Sequence, residues 1–290
     1  MTNLVSFFAG GKRRPGALRD GRVLDLSAAG LPGGPEGDLL DIVRGGESLR
    51  GDIDRAVEAW NAPDHALDDV ELAAPIQWPS KIICIGLNYI DHCHESGMPV
   101  PTEPVMFSKY STSVAGPFED IPWYTECCND MDYEAELGVV IGAPASRVSE
   151  ADALSHVYGY TVVNDVSARD LQLKPPGQWD AGKALDKFCP YGPGIVTADE
   201  IPDPQVLDIG LAVNGEQRQQ SNTSNMVFGV AELIAFLSRT ITLLPGDLIA
   251  TGTPPGVALG MKPPVWLKDG DVCEVTIEKI GSIRNTMRAR

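Results

Sequence analysis

The chain has 290 residues, of which 43% are hydrophobic and 22% charged, and its formal net charge is −17. These values are ordinary for a globular protein of one large or two smaller domains. Nucleic acid and anionic membrane surfaces would repel so acidic a chain, so we expect neither as a partner. No apolar run reaches the length of a membrane span, and residues 1–20 lack an apolar signal core. We therefore expect a cytoplasmic protein.

The six cysteines show no Cys-x-x-Cys pair and no spacing typical of a disulfide framework, which favours reduced thiols. The triplet His92-Cys93-His94 suggests zinc at first sight. No second pair of ligands lies nearby at the spacing of a zinc finger, so we do not expect zinc.

Residues 1–72 are expected to form a small N-terminal α/β module. Short apolar runs at 4–8 and 22–26 predict strands, and 38–43 and 52–60 predict two short helices. Residues 63–75 are the predicted linker, so the second domain covers 73–290. The module contains no group of residues to which we can assign chemistry.

After residue 82 the pattern is dominated by strands. Apolar runs at 82–85 and 158–163 predict buried strands, and 207–213 alternates before an Asn214-Gly215 hairpin turn. Residues 88–95 are expected to form a loop or a single helical turn, and 227–237 an amphipathic helix. Many short strands with few helices argue against a doubly wound sheet, so the predicted fold class is mixed, β-rich α+β.

Two carboxylates open the apolar run 134–142. Glu134 and Glu136 are two residues apart on a predicted strand and therefore share a face, and Asp165 at the end of another strand could join them. Three clustered carboxylates repel one another unless a cation neutralises them, and oxygen ligands suit Mg²⁺, with Mn²⁺ or Ca²⁺ as alternatives. The competing interpretation is an exposed edge strand with Asp165 capping a turn.

His92 and Glu95 are three residues apart, which places them side by side on one helical turn. A carboxylate beside an imidazole orients it and raises its basicity, as a general base requires. Spacing alone favours an ordinary surface pair, and His94 is a rival base.

Several distinctive motifs follow one another along the chain, at 85–95 (IGLNYIDHCHE), 104–109 (PVMFSK), 132–142 (DYEAELGVVIG), 164–172 (NDVSARDLQ), 182–193, 222–226 and 251–257. In this order they resemble the fumarylacetoacetate hydrolase family, and the resemblance covers residues 76–284. The resemblance implies the mixed β-sandwich roll of that family, commonly as a homodimer.

The resemblance also implies roles for individual residues. Glu134, Glu136 and Asp165 would hold the metal, and His92 with Glu95 would form a water-activating pair on a mobile lid. Lys183 would face the metal-bound substrate. The residues expected to bind substrate oxygens are Lys109, Arg169, Gln172 and Thr253. Asp91 matches a position where some relatives supply a fourth ligand, so its role is open.

The function that follows is metal-dependent hydrolysis of a carbon–carbon bond in a β-diketo acid. The expected substrates are acylpyruvates or 2,4-diketo-3-deoxy sugar acids, with release of pyruvate or a related 2-oxo acid. Decarboxylation of oxaloacetate is the alternative, and isomerases or hydratases of 2-oxo acids would use the same metal site. The intact ligand set disfavours a non-catalytic binding protein. Residues 124–129 depart from the family pattern just before the strand that carries Glu134 and Glu136, where they could reshape the pocket, so their role is open.

Overall fold

The computed structural model describes residues 3–33, 37–60 and 63–290. The strands in this part of the chain are β1 (Asn3–Ala9), β2 (Lys12–Arg19), β3 (Arg22–Asp25), β4 (Asp64–Ala66), β5 (Glu71–Ala73), β6 (Ile82–Gly86), β7 (Val105–Lys109), β8 (Val114–Ala115), β9 (Ile121–Trp123), β10 (Met131–Asp132), β11 (Ala135–Ile141), β12 (Val157–Asn164), β13 (Ser167–Ala168), β14 (Cys189–Thr197), β15 (Asp208–Val213), β16 (Glu216–Asn222), β17 (Leu248–Ala250), β18 (Val272–Ile277) and β19 (Gly281–Ala289). The α-helices there are α1 (Leu40–Ala59), α2 (Ile90–Glu95), α3 (Glu150–Ala153), α4 (Arg169–Gln172), α5 (Asp180–Lys183) and α6 (Val230–Ser238).

The larger of two main sheets contains the central strands β11 and β12. Its strand order is β4-β3-β2-β1-β14-β12-β11-β17-β6-β7, with β5 added beside β1 and β8 beside β14. Every residue of β11 and β12 is buried, because both faces of the sheet are covered. This explains why these strands are unbroken apolar runs rather than alternating ones.

The second sheet, in the order β16-β15-β18-β19-β9, packs against the first. Its strands alternate: Cys273, Val275 and Ile277 of β18 are buried, and the residues between them are exposed. The buried faces of the two sheets form one apolar cluster. The hairpin between β15 and β16 turns at Asn214 and Gly215, which have φ of 53° and 80°, as the Asn-Gly pair predicted. The predicted β-rich α+β fold with a sandwich of mixed sheets is confirmed.

The N-terminal strands extend the larger sheet, because β1 pairs with β14 as well as with β2. The predicted strands near 4–8 and 22–26 correspond to β1 and β3, whereas β2 was not predicted. The two predicted helices correspond to α1, which breaks at Gly46 with φ of 56°. The domain boundary after residue 72 stays a prediction, and strands on both sides of it share one sheet.

The expectation of a linker at 63–75 is wrong. The segment supplies β4, which pairs with β3, and β5, which pairs with β1. Asp64 is held there by Arg22, with Nε and Oδ2 2.8 Å apart, and by Trp60 Nε1 at 2.7 Å. Arg22 is 42 residues from Asp64, and the strands β3 and β1 that pair with this segment are also distant in sequence, so no local pattern marked its strands.

All six cysteines are free thiols, and all but Cys127 are buried, as the sequence predicted for a reduced chain. Across the described ranges, no helix combines the length and the apolar character that a membrane crossing requires.

Candidate active site

The three predicted metal ligands meet where β11 begins and β12 ends. The two strands are antiparallel with Ala135 opposite Asn164, so Glu134 and Asp165 emerge side by side. Each of the three carboxylates offers an oxygen, and these oxygens lie within 4.8 Å of one another. All three side chains are buried. The competing interpretation, an exposed edge strand, is therefore wrong.

Buried cations surround the carboxylates. Lys183 Nζ lies 2.8 Å from Glu134 Oε2 and 2.9 Å from Asp165 Oδ2, and Arg169 Nη2 lies 2.5 Å from Glu134 Oε1. Burial disfavours the charged form of Glu134, but Lys183 and Arg169 outweigh it and hold the pKa of this carboxyl at about 2. Glu134 is therefore ionised at neutral pH.

Glu136 is in a different environment. Its Oε2 accepts a hydrogen bond of 3.0 Å from the backbone N–H of Gly252, but its buried Oε1 has no hydrogen-bond partner among the described residues. Burial, and then the charges of Asp165 and Glu134, raise the pKa of this carboxyl well above its usual range. A buried acceptor without a partner is costly, and a cation beside it would remove that cost. The all-oxygen donor set thus fits a divalent ion such as Mg²⁺.

The predicted base lies on the short helix α2. His92 Nδ1 is 3.2 Å from Glu95 Oε2, and Glu95 Oε1 accepts a hydrogen bond of 2.9 Å from Gly256 N. The side chain of Asn88 fixes the start of this segment by donating to the carbonyls of Thr251 and Phe228 at 2.7 and 3.1 Å. His92 is therefore buried and Glu95 half-buried, and the pair is held by two distant loops, unlike a surface pair.

The rival residues on this helix face elsewhere. His94 and Asp91 are exposed, and neither lines the cavity described below. The group of potential metal ligands among the described residues does not include Asp91. His92 is thus the histidine of this segment that faces the carboxylates.

A cavity of about 510 Å³ opens between the carboxylates and α2. Most of the predicted site residues line it, namely His92, Glu95, Glu134, Arg169, Gln172, Lys183 and Thr253. Its remaining wall is largely apolar, with Trp179, Leu173 and Met98 among its residues. One chamber thus joins the predicted base, two buried cations and Glu134, whereas Glu136 and Asp165 do not line it.

Lys109 occupies a position beneath the cluster rather than on the wall of this cavity. Its Nζ lies 2.6 Å from Asp165 Oδ1 but donates its hydrogen bonds to the backbone carbonyls of Val166 (3.0 Å), Phe188 (2.7 Å) and Lys183. The contact with Asp165 is thus a short, buried ion pair beside these three hydrogen bonds. With every proton engaged, Lys109 is placed to hold the backbone around Asp165, and its predicted contact with substrate stays a prediction.

Sequence reasoning assigned no role to two polar residues that organise the site. Asp132 Oδ2 accepts from Arg169 Nε at 2.8 Å and from Leu259 N at 3.1 Å, and Asp132 Oδ1 accepts from Ala258 N at 2.7 Å. Gln219 joins the backbone of Ala135 to the hydroxyl of Thr253 through two hydrogen bonds of 2.8 Å. A third acidic residue directly before Tyr133-Glu134 was the available signal for Asp132. Nothing local marked Gln219, because its partners are 84 and 34 residues away.

The segment 124–129, whose role the sequence left open, does not line the cavity. Thr125 N donates to Arg290 O at 3.1 Å, and Asn129 N donates to Asp170 Oδ2 at 2.7 Å. Cys128 is buried in the apolar cluster between the sheets. The segment ties the C-terminal strand to α4, behind Arg169.

Comparison with known proteins places this fold and site in a family. Residues 81–288 match the family described as fumarylacetoacetate (FAA) hydrolase C-terminal, which is more than half of the chain. The chain belongs to the fumarylacetoacetate hydrolase family.

Its relatives include a mitochondrial oxaloacetate tautomerase from Xenopus laevis, 47% identical over 92% of this chain and 83% of the relative. A second one from Bos taurus is 45% identical over 91% of this chain and 83% of its own length. Among solved structures, a fumarylacetoacetate hydrolase from Exiguobacterium antarcticum is 40% identical, covers both chains completely and has a TM-score of 0.88. A maleylpyruvate hydrolase from Sphingobium sp. SYK-6, in complex with manganese and pyruvate, is 32% identical over 99% of each chain, with a TM-score of 0.83. Both isomerase-type and hydrolase names therefore occur among the relatives.

Proposed function

We propose that the protein catalyses metal-assisted enol–keto tautomerisation of oxaloacetate. The observation that carries the proposal is the braced His92–Glu95 pair facing the carboxylate cluster across one cavity. Tautomerisation requires a base that moves a proton at C3 and a site that stabilises negative charge on the neighbouring oxygen. The oxaloacetate tautomerases that align over most of this chain support this choice of substrate.

Each residue of the cavity has a task in this reaction. His92, oriented by Glu95, delivers a proton to C3 while the enol oxygen loses its proton to water, and in the reverse direction it takes the C3 proton while water returns one to the oxygen. Lys183, whose pKa is raised because the attraction of Asp165 and Glu134 outweighs its burial, stays protonated and favours negative charge on the substrate oxygens. Arg169, Gln172 and Thr253 line the cavity as donors for the carboxylate beside the oxo group.

The proposed cofactor is Mg²⁺, with Mn²⁺ or Ca²⁺ as alternatives, held by Glu134, Glu136 and Asp165. Such an ion would polarise the 2-oxo group and stabilise the enolate form. The partnerless Oε1 of Glu136 supports this assignment.

Hydrolysis of a carbon–carbon bond in a β-diketo acid, our expectation from the sequence, is the second candidate. An oriented imidazole can activate water as well as move a carbon-bound proton. The cavity of about 510 Å³ and its apolar wall leave room for an acyl chain longer than that of oxaloacetate. Decarboxylation of oxaloacetate would need the same charge stabilisation but no base, so it leaves the His92–Glu95 pair without a task.

The test compares wild type with His92→Ala and Glu134→Gln in buffer containing Mg²⁺. The first assay follows loss of enol oxaloacetate by ultraviolet absorbance, and the second follows pyruvate release from oxaloacetate, an acylpyruvate and a diketo-deoxy sugar acid. We expect enol loss without pyruvate in wild type and neither in the variants. Pyruvate from the diketo acids alone would replace tautomerisation by hydrolysis, and pyruvate from oxaloacetate with an active His92→Ala would indicate decarboxylation.

We also propose that the protein is a cytoplasmic homodimer. Met106 and Tyr110 are 50% and 57% exposed on and beside β7, the edge strand of the larger sheet. An edge strand with exposed apolar side chains is a surface for self-association. Mass photometry of wild type against a Met106→Glu/Tyr110→Glu double variant tests this, because a monomeric wild type would exclude it.

A further inference from the structure

The cations that line the cavity are of two kinds. Arg169 and Lys183 are buried and already bound to carboxylates of the protein. Lys262 also lines the cavity but is exposed, as are Gly97 and Met98 of the same wall. Within the described chain, Lys262 forms no ion pair. Its ammonium is therefore a free positive charge at the mouth.

The charges of the inner site allow for one substrate carboxylate. The four buried carboxylates there are Asp132, Glu134, Glu136 and Asp165, and the three buried cations are Lys109, Arg169 and Lys183. When all are ionised, one negative charge remains, and a divalent ion would convert it to one positive charge. The carboxylate next to the oxo group balances that charge, so a second carboxylate must find its cation elsewhere.

The rest of the outer wall offers no such partner. Met98, Leu173, Val257 and Leu259 are apolar, and the carboxylate of Glu95 is engaged by His92 and Gly256 N. A substrate carboxylate that reaches this end of the cavity would lose hydration against apolar groups unless Lys262 neutralised it. In a partly enclosed cavity this attraction is stronger than in open water.

We propose that Lys262 binds the distal carboxylate of the substrate, so that the site selects 2-oxo dicarboxylic acids over monocarboxylic ones. The inference rests on the proposed function, since it assumes that the oxo end of the substrate lies at the carboxylate cluster. Lys262 lies outside the motifs shared with the family, and it would determine which acids the site binds.

Binding can be measured apart from turnover. The probes are 3,3-dimethyloxaloacetate, which cannot enolise, and its 4-methyl ester, which keeps the shape but lacks the distal charge. Isothermal titration calorimetry with Mg²⁺ would compare wild type, Lys262→Gln, Lys262→Glu and the control Lys268→Gln, which removes an exposed charge away from the cavity.

We expect Lys262→Gln to bind the diacid roughly fivefold more weakly, with a larger loss in Lys262→Glu, because one ion pair is removed. The ester should bind all four proteins alike, and Lys268→Gln should match wild type. If Lys262→Gln keeps the wild-type preference for the diacid, or if wild type binds ester and diacid equally, the proposal is overturned.

A parallel assay of oxaloacetate and its 4-methyl ester separates the two hypotheses. Wild type that prefers the diacid probe through Lys262 but converts neither substrate would refute tautomerisation and leave the carboxylate site standing. Turnover of oxaloacetate with a KM unchanged in Lys262→Gln would refute the role of Lys262 and leave tautomerisation standing.

Discussion

Lys109 and Lys183 both contact Asp165, but they approach opposite oxygens of that carboxylate. Lys183 lines the cavity, whereas Lys109 lies beneath it and donates to three backbone carbonyls. Equal charges at similar depth therefore have different surroundings, and we propose that Lys183 acts in the chemistry and Lys109 holds the backbone.

Replacing each lysine by methionine should separate these tasks. Lys109→Met leaves three carbonyls and a carboxylate without their partner, so we expect a loss of about 3 kcal/mol or more in unfolding free energy. Lys183→Met should remove most activity, because the charge that favours the enolate is lost. Denaturant unfolding and tautomerase assays on both variants would check this. Equal effects of both substitutions on stability and on activity would refute the division.

Asp132 deserves the same test, because it links Arg169 to the loop that carries Ala258 and Leu259. Asp132→Asn replaces one acceptor oxygen by an N–H₂ group that faces other donors. We expect kcat/KM to fall roughly 30-fold, or about 2 kcal/mol, mainly through a higher KM as Arg169 loses its orientation. Asp54→Asn, an exposed substitution on α1, is the control. An unchanged KM in Asp132→Asn would contradict this role.

At the scale of single residues, the sequence predicts the relative position of side chains that are two or three residues apart. Glu134 and Glu136 are two apart, and His92 and Glu95 are three apart, so strand and helix periodicity place each pair correctly. The position of Lys109 could not be inferred, because it depends on carbonyls that later strands bring to it. The resemblance to the family identified Lys109 as a site residue but did not indicate which groups it contacts.

At the scale of elements, the loop from the end of β17 to residue 260 connects most of the site residues. Its backbone N–H groups hold Glu136 through Gly252, Glu95 through Gly256 and Asp132 through Ala258. Gly260 closes the loop against the lid, and a Cβ there would lie 2.4 Å from Glu95 Cδ. The loop thus sets the position of the base without contributing to its chemistry.

Gly260→Ala should therefore damage activity more than stability. The added methyl group must push the Glu95 carboxylate away, which weakens its bond to His92, and we expect kcat to fall at least roughly tenfold. The control is Gly51→Ala on α1, where the nearest atom is Arg55 Nη1 at 3.5 Å. It should raise stability by about 0.5–1 kcal/mol, because alanine favours helix more than glycine does. Full activity of Gly260→Ala at an unchanged melting temperature would contradict the argument.

The elements themselves were predictable where they are buried on both faces or bounded by clear turn residues. β11, β12 and the β15–β16 hairpin are examples. β4 and β5 were missed because strands of three residues are too short to show a periodic pattern and depend on hydrogen bonds with β3 and β1.

At the scale of the whole molecule, the clustered carboxylates repel one another and lower the stability of the folded state. A bound cation would reduce this repulsion. An ion that binds only the folded state raises its stability as the ion concentration exceeds the dissociation constant. We therefore expect Mg²⁺ to raise the melting temperature of wild type and EDTA to reverse the change.

The variant Glu136→Gln tests both the repulsion between the carboxylates and the binding of the ion. Without metal the neutral amide removes repulsion, so the variant should melt at or above the wild-type temperature, yet Mg²⁺ should no longer raise it. Glu274→Gln on the exposed face of β18 should respond to Mg²⁺ like wild type. A cation-independent melting temperature in wild type would refute the metal site.

The hydrogen bond that holds Glu95 also determines when the protein can become active during its synthesis. Glu95 is 161 residues away from Gly256, whose N–H donates to it. Glu136 is 116 residues away from Gly252, whose N–H donates to it. A ribosome-bound chain that has exposed β11 and β12 carries all three ligands but has no fixed base. The three proposed ligands are therefore synthesised before the loop that holds Glu95 and Glu136, and we expect activity only after the last fifth of the sequence has been made.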